Sequence, residues 1–400
     1  MDNSNNNPLN KIKEGKVEKI IGVAIVLVVI ILAIVIKTAF NGGNKNLKTI
    51  YIATGGGKED FIADPEIVKI MEDEYKLNVV YDSWSNGKTI QLPLVRETFE
   101  QHYQVDSSIN INSPSCTKYD ALFTSDERYY NYYKLQPKDG EAARYQVLDG
   151  SLTLNTPIVI YSWKDVANAL IKEKIVTNEN GVYYIDDMNK LLNYILEGKT
   201  WSDIGLNSIY GKINIYSTDP ASSSPGLTYY GLLLSVMTNG DLSDANIEKT
   251  LPKLKEFYKK SGYMNNTPAD LFELYLKTGQ GAKPMIVDYE KSLIEFNNKY
   301  SDAYKELADE IVILYPRPTI WNSHCIATFS EGGNEYLKAY DNEKLQNIAW
   351  KNYGFRVGTT GGKYDVTKVG INGIPKEITS VTSGLKKETY DLIEDYLSNK

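Results

Sequence analysis

The stretch whose reading decides the fold is INIYSTDPASSSPGLTYYGLLLSVM, residues 213–237. Its first five residues alternate apolar and polar side chains and predict a short strand. Thr218, Asp219 and Pro220 follow, then three serines, Ser222, Ser223 and Ser224, and then Pro225 just ahead of an apolar run that begins at Leu227. Small hydroxyls followed by a proline in the first turn mark a helix start. The first amides of such a helix have no partner inside it. With the serine hydroxyls they form a receptor for an anionic or strongly polar group. The same loop also reads as a surface helix with a generous cap, and the rest of the chain has to weigh one against the other.

The chain has 400 residues, a formal charge of −7 and 31 tyrosines. That length allows two domains. No long basic tract lies outside the N-terminus, so nothing calls for nucleic acid as a partner. Lys11, Lys13, Lys16 and Lys19 precede an unbroken apolar run at residues 20–36, which continues past Lys37 to Phe40. At about 1.5 Å per residue this run crosses the hydrocarbon core of a bilayer, and Lys37 can snorkel. The run is longer than a signal-peptide core, and no cysteine follows it to carry a lipid. The expectation is a cytoplasmic segment at 1–19, one transmembrane helix at 20–40, a flexible linker at 41–47 and an extracellular remainder held at the cell membrane. A cleaved signal sequence is the alternative.

After the linker, residues 48–53 predict a strand, Thr54-Gly55-Gly56-Gly57-Lys58 a turn, and residues 61–75 a helix. The glycine turn is not a nucleotide P-loop, because Ile52 and Glu59 stand where that loop needs a glycine and a Ser or Thr. It still lets backbone amides approach a ligand. Residues 77–81 and 119–126 predict further strands, the second ending in Ser125-Asp126, and a helix interrupted at Pro93 is expected near 88–101. Such alternation argues for a parallel sheet covered by helices, with ligands at the carboxyl ends of its strands. Thr54-Gly55 and Ser125-Asp126 stand at such ends. Later strands are expected at 154–161, 284–288, 311–314 and 325–329. Helices are expected at 164–170, 186–196, 246–259, 271–277, 343–351 and 386–397. Thr267-Pro268-Ala269-Asp270 supplies a cap, a first-turn proline and a first-turn acid.

Several phrases, taken in order, resemble one family. They are IYIATGGG (50–57), DALFTSD (120–126), NTPIVIYSWKDVANAL (155–170), STDPASSSPGLTYYGLLL (217–234), PMIVDYE (284–290), ILYPRPTIWNSH (313–324) and YGFRVG (353–358). Together they are similar to the type 2 periplasmic, or extracellular, solute-binding proteins, near the phosphate-, molybdate- and sulfate-type branch. The resemblance implies an α/β, two-lobed periplasmic-binding-protein-like fold, each lobe a mixed sheet flanked by helices. Lobe I would hold 48–153 and 323–400 and lobe II 154–322, with crossings near 156–160 and 314–321. Ligand-touching positions carried over are Thr54, Gly55, Gly56, Ser125, Asp126, Thr156, Ser222, Ser223, Ser224, Asp288 and Tyr289.

What this implies is a membrane-anchored solute-binding protein with a monomeric ectodomain. It would capture a small polar or anionic solute, an oxyanion being favoured, for an ABC-type permease or another membrane complex. No cofactor, metal or catalytic step is expected. Two features depart from the family pattern: a carboxylate at Asp126 or Asp288 repels a dianion and suits a cation, an amine or a sugar hydroxyl, and the uncleaved anchor is unusual. The alternatives are an envelope scaffold or sensor that binds a protein partner, and a cleft hydrolase.

Other constellations are thin. The two histidines, His102 and His324, occur without an HExxH or paired-cysteine spacing, so a catalytic zinc site would need unusual ligands. His324 and Cys325 are adjacent in a strand-like segment and point to opposite faces. Cys116 and Cys325 could be bridged outside the cell, and spacing does not decide it. Asn265-Asn266-Thr267 reads as a glycosylation sequon or as the approach to a helix cap. Asp219, Asp288 and Glu290 are the acids an enzyme would use. Lys58, Arg128 and Arg317 either pair with ligand charge or solvate the surface.

Overall fold

The computed structural model describes residues 46–84, 119–125, 127, 130, 147–262, 264–357, 365–382 and 384–398. The expected membrane span at 20–40, the helix near 88–101, His102, Cys116, Asp126 and Arg128 lie outside the described residues. Among the described residues no helix is long and apolar enough to cross a membrane.

The chain runs through β1 (Lys48–Gly55), α1 (Glu59–Ile62), α2 (Pro65–Glu74), β2 (Leu77–Trp84), β3 (Ala121–Phe123) and β4 (Asp149–Trp163). It continues through α3 (Lys164–Lys172), β5 (Val176–Glu179), β6 (Val182–Ile185), α4 (Met188–Glu197), α5 (Ser224–Met237), α6 (Asp244–Ser261) and α7 (Pro268–Ala282). Next come β7 (Met285–Tyr289), α8 (Lys291–Lys299), α9 (Ser301–Leu307), β8 (Ile311–Pro316) and β9 (Trp321–Thr328). The last elements are α10 (Glu331–Lys338), α11 (Glu343–Tyr353), β10 (Arg356–Val357) and α12 (Lys387–Ser398).

The strands form a ten-stranded sheet in the order β2-β1-β3-β9-β4-β8-β6-β5, with β7 and β10 each pairing β4. β1 lies parallel to β2 and β3, and β6 to β8. The ladders of β9 with β3 and of β4 with β7, β8, β9 and β10 are antiparallel. The sheet is therefore mixed, as the family resemblance implies, and not the parallel one that the first strand-helix alternation suggests. Fifteen-residue β4 organises it. Its first part pairs with β9, from Asp149↔Thr328 to Pro157↔Trp321, and its second part with β7 and β8, at Ile158↔Tyr289 and Ile160↔Leu314. Its unbroken apolar run, Ile158 to Tyr161, is what burial on both faces of a sheet demands.

Two hydrophobic clusters flank this strand. The smaller gathers Ile50, Phe61, Ile70, Phe123, Leu154, Tyr340 and Phe355, and the larger gathers Ile158, Trp201, Tyr230, Leu254, Tyr275 and Ile313. Between Leu154 and Ile158, β4 passes from one to the other. The end of the chain departs from the expected grouping: Val369, Ile374, Leu385, Tyr390, Ile393 and Leu397 belong to the larger cluster, because α12 packs on α5 and α6. Gly231 makes room there, since a Cβ on it would come within 2.6 Å of the Tyr390 ring.

Other differences are local. The helix expected at 61–75 is split at Pro65, where the Asp64 side chain accepts the Glu66 N–H at 2.8 Å and starts α2 afresh. The strand expected at 213–217 is reduced to one isolated bridge: Tyr216 pairs with β7, donating to the Met285 carbonyl and accepting from Val287 N–H. The Thr267 cap forms as its sequence suggests, its hydroxyl accepting the Asp270 N–H at 3.2 Å ahead of Pro268.

Candidate functional site

A cleft of about 1640 Å³ opens where residues of the two clusters face each other. One wall comes from the 55–57 turn after β1, the starts of α1 and α2, and Ser125. The other comes from the 222–225 loop into α5, the start of α7, the end of β7, and α8. Asn322 and His324 of β9 also reach it. Of the residues singled out in the sequence, Gly55, Gly56, Ser125, Ser222, Ser223, Ser224, Asp288 and Tyr289 line this one space. Thr54 and Thr156 are fully buried away from it. The Thr54 hydroxyl donates to the Gly55 carbonyl at 3.1 Å, and that of Thr156 accepts the Lys291 N–H at 3.4 Å.

The serine loop is built differently from a serine-capped helix. Ser223 is the N-cap of α5, yet its hydroxyl makes no capping bond; it pairs with the Thr218 hydroxyl at 2.8 Å in a buried contact. Asp219 shapes the turn instead. Its side chain accepts the Ala221 N–H at 2.9 Å, and its carbonyl accepts the N–H groups of Ser222 and Ser223 at 3.1 and 2.9 Å. Gly226 is required here, because a Cβ on it would lie 2.4 Å from the Thr218 carbonyl oxygen. The Ser224 hydroxyl is buried without a partner, and the N–H groups of Ser224 and Gly226 make no backbone hydrogen bond. The start of α5 thus brings Ser224, with its unsatisfied hydroxyl, to the lining of the cleft, and the helix dipole favours negative charge there. Beyond that first turn α5 is buried on every side, from Pro225 to Val236, as a helix apolar all round must be.

Lys58 follows the glycine turn and is not the solvated lysine that its composition allows. It is fully buried. Its ammonium donates to the Ser125 hydroxyl at 2.7 Å and lies 5.0 Å from the centre of the Phe123 ring. Burial pushes its pKa down to about 7, a trend that Glu59 opposes and Lys291 reinforces. The signal in the sequence is positional: a lysine just past the carboxyl end of a strand, after the glycine turn.

His324 is the other residue that sequence reasoning set aside. It is buried on β9, with its ring edge-on to Phe355 at 5.0 Å. Asn322 Nδ2 lies 3.2 Å from His324 Nε2, and His324 Nδ1 has no partner. Burial holds the ring well below the ordinary imidazole pKa, and the charges of Lys58 and Lys291 add to this. The period of two along a strand places Asn322 and His324 on one face and Cys325 on the other. The Cys325 thiol is correspondingly 3.5 Å from the Ser323 carbonyl.

The acids divide. Asp288 lines the cleft, its carboxylate accepting the Tyr289 N–H at 2.7 Å. Burial pushes its pKa up to about 6, against the pull of that hydrogen bond and of Lys291. Glu290 has no place there: it grips buried Arg356 at 2.7 and 2.9 Å and accepts the Tyr315 hydroxyl at 2.7 Å. Arg317 is held by Glu179 at 2.6 Å and Asp186 at 3.2 Å, over the Tyr184 ring. Asp219 is consumed by the turn. Among the described residues no group of three His, Cys, Asp or Glu is placed to hold a metal ion.

A scan against protein-family models gives no match, and a search of curated proteins gives none. Solved structures do match. An ABC transporter protein from Clostridium perfringens is similar at a TM-score of 0.52 and 13% identity, over 88% of this chain and 98% of that one. The sulfate-binding protein SubI from Mycobacterium tuberculosis gives 0.46 and 11%, over 78% of this chain and 88% of that one. Iron-bound HitA from Pseudomonas aeruginosa gives 0.48 and 11%, over 88% and 97%. The first likeness is one of fold, and the chain has a mixed α/β fold of the periplasmic-binding-protein kind.

Proposed function

We propose that this chain is a solute-binding protein whose two lobes, one built on each hydrophobic cluster, hold a small polar or anionic solute in the cleft, with an oxyanion favoured. The observation that carries this reading is the start of α5, where Ser224, its hydroxyl and its N–H without a hydrogen bond among the described residues, lines a space bounded opposite by the glycine turn and Ser125. Donors without acceptors at a helix N-terminus suit a ligand rich in lone pairs. In this reading residues 20–40 tether the protein to the membrane, the lobes stand outside the cell, and the solute passes to an ABC-type permease or another membrane complex. In this reading the protein binds and does not catalyse; of Asp219, Asp288 and Glu290, Asp288 alone lines the cleft.

The test is thermal unfolding of the purified full chain against phosphate, sulfate, molybdate, sugars, amino acids and metal ions. A ligand present at a hundred times its dissociation constant adds about 2.7 kcal/mol to stability, enough to raise the midpoint measurably. A rise with oxyanions is expected. A rise with sugars or cations alone would reject the oxyanion preference. No rise with any of them would favour an envelope module that binds protein.

A further inference from the structure

A fully buried ammonium ordinarily rests against a carboxylate, because an unpaired charge away from water is costly. Lys58 has no such partner among the described residues. Its ammonium meets only the Ser125 hydroxyl and the Phe123 ring. The Glu59 carboxylate is engaged by the Ser83 hydroxyl and by the backbone N–H of Lys58. Lys291, the cation that also acts on Lys58, is neutralised by both carboxylate oxygens of Glu295, at 2.7 and 2.8 Å. Asn322 Nδ2 lies 3.2 Å from His324 Nε2; with the amide as donor, the neutral ring carries its proton on Nδ1, which has no partner among the described residues.

We propose that Ser125 marks the seat of the solute's negatively charged oxygens, with Lys58 as their counter-charge and the His324 Nδ1–H as a hydrogen-bond donor to them. The proposal rests on the solute-binding reading and names the residues that set the ligand's charge. Ser125 is suited to the part: its oxygen accepts from Lys58, while its own proton has only a long 3.5 Å contact with the Gly56 carbonyl and turns readily to an anion. The class of ligand is one bearing an oxyanion group, either a carboxylate or a tetrahedral oxyanion. The serines at the start of α5 would hold the far side of the same solute.

The charge state of Lys58 links binding to pH. With the cleft empty, burial lets the ammonium lose its proton above about 7; a seated anion holds the proton on. Among the described residues, Glu59, Lys291, Cys325 and His324 are the titratable groups acting on or beside it. Binding above pH 7 therefore takes up a proton, and affinity falls about tenfold per pH unit there.

The experiment is calorimetry on the purified full chain with sulfate, acetate and glucose at pH 6.5 and 8.5, in two buffers of different ionisation heat. Sulfate keeps its own charge across this range, and the sulfate and acetate arms separate a tetrahedral oxyanion from a carboxylate. Wild type should bind one of these anions and take up protons at pH 8.5. Lys58→Met should lose about tenfold or more in affinity at pH 6.5 and lose the pH dependence. It should also fold at least as stably, since a buried charge is gone, and its unfolding midpoint checks this. His324→Phe, which keeps the ring packing, should lose affinity and retain the proton uptake. Anion binding by Lys58→Met at wild-type strength overturns the seat and leaves the solute-binding reading standing. Binding of glucose alone does the same. Binding of none of the probes by wild type overturns the seat, whereas the solute-binding reading falls only if the wider panel also leaves the midpoint unmoved.

Discussion

Ser223 and Ser224 are neighbours of one chemical type with different surroundings. The Ser223 hydroxyl closes the loop onto Thr218, whereas that of Ser224 is buried with nothing to bond. Ser223→Ala is expected to cost about 1 kcal/mol of stability, the net worth of one buried hydrogen bond, as read by urea unfolding. Ser224→Ala should leave that stability unchanged and weaken solute binding several-fold. Equal effects of the two substitutions on both measurements would contradict this division of roles. Sequence reasoning finds the triple serine but treats its members alike, because which hydroxyl is already occupied depends on Thr218, brought back by the Asp219 turn.

At the scale of elements, the Glu290–Arg356 pair joins the β7–α8 junction to β10, with Tyr315 of β8 completing the contact. Arg356 also donates to the Pro375 carbonyl at 2.7 Å, drawing in the segment that leads toward α12. Glu290→Gln leaves a buried guanidinium without its carboxylate, and the expected loss is about 3–5 kcal/mol, seen as a lower denaturation midpoint. A variant as stable as wild type would show that this clamp does not hold these elements together. Elements with a local code are legible in advance: the Thr267 cap, the apolar run of β4 and the run of α5 each carry their signal in a few consecutive residues. The isolated bridge at 213–217 is not, because a strand exists only if a partner runs alongside, and β7 pairs at Tyr216 alone before the chain turns away.

At the scale of the molecule, two cores are connected by β4 and by the 317–320 link between β8 and β9, with a cleft where they face one another. A solute touching both walls stabilises whichever arrangement brings them together. Small-angle scattering of the full chain, with whichever compound raises the unfolding midpoint, is expected to show a smaller radius of gyration than without it. An unchanged profile at saturation would mean that the cleft binds without closing.

By itself the sequence determined the local pieces: the helix start at Pro225, the glycine turn, the buried strand at 154–161 and the order of phrases that implies the fold. Each depends on neighbours within a few residues, through backbone geometry and the period of burial. Only the tertiary structure decided how the strands pair, that the described residues of 365–398 pack with the larger cluster and that Glu290 is a clamp. It alone joined the Lys58 ammonium to the Ser125 hydroxyl with no carboxylate against it among the described residues, and left His324 Nδ1 without a partner among them. Burial and charge pairing depend on residues far apart in sequence, 66 positions for Glu290 and Arg356 and 67 for Lys58 and Ser125, and no local pattern of side chains encodes which of them will meet.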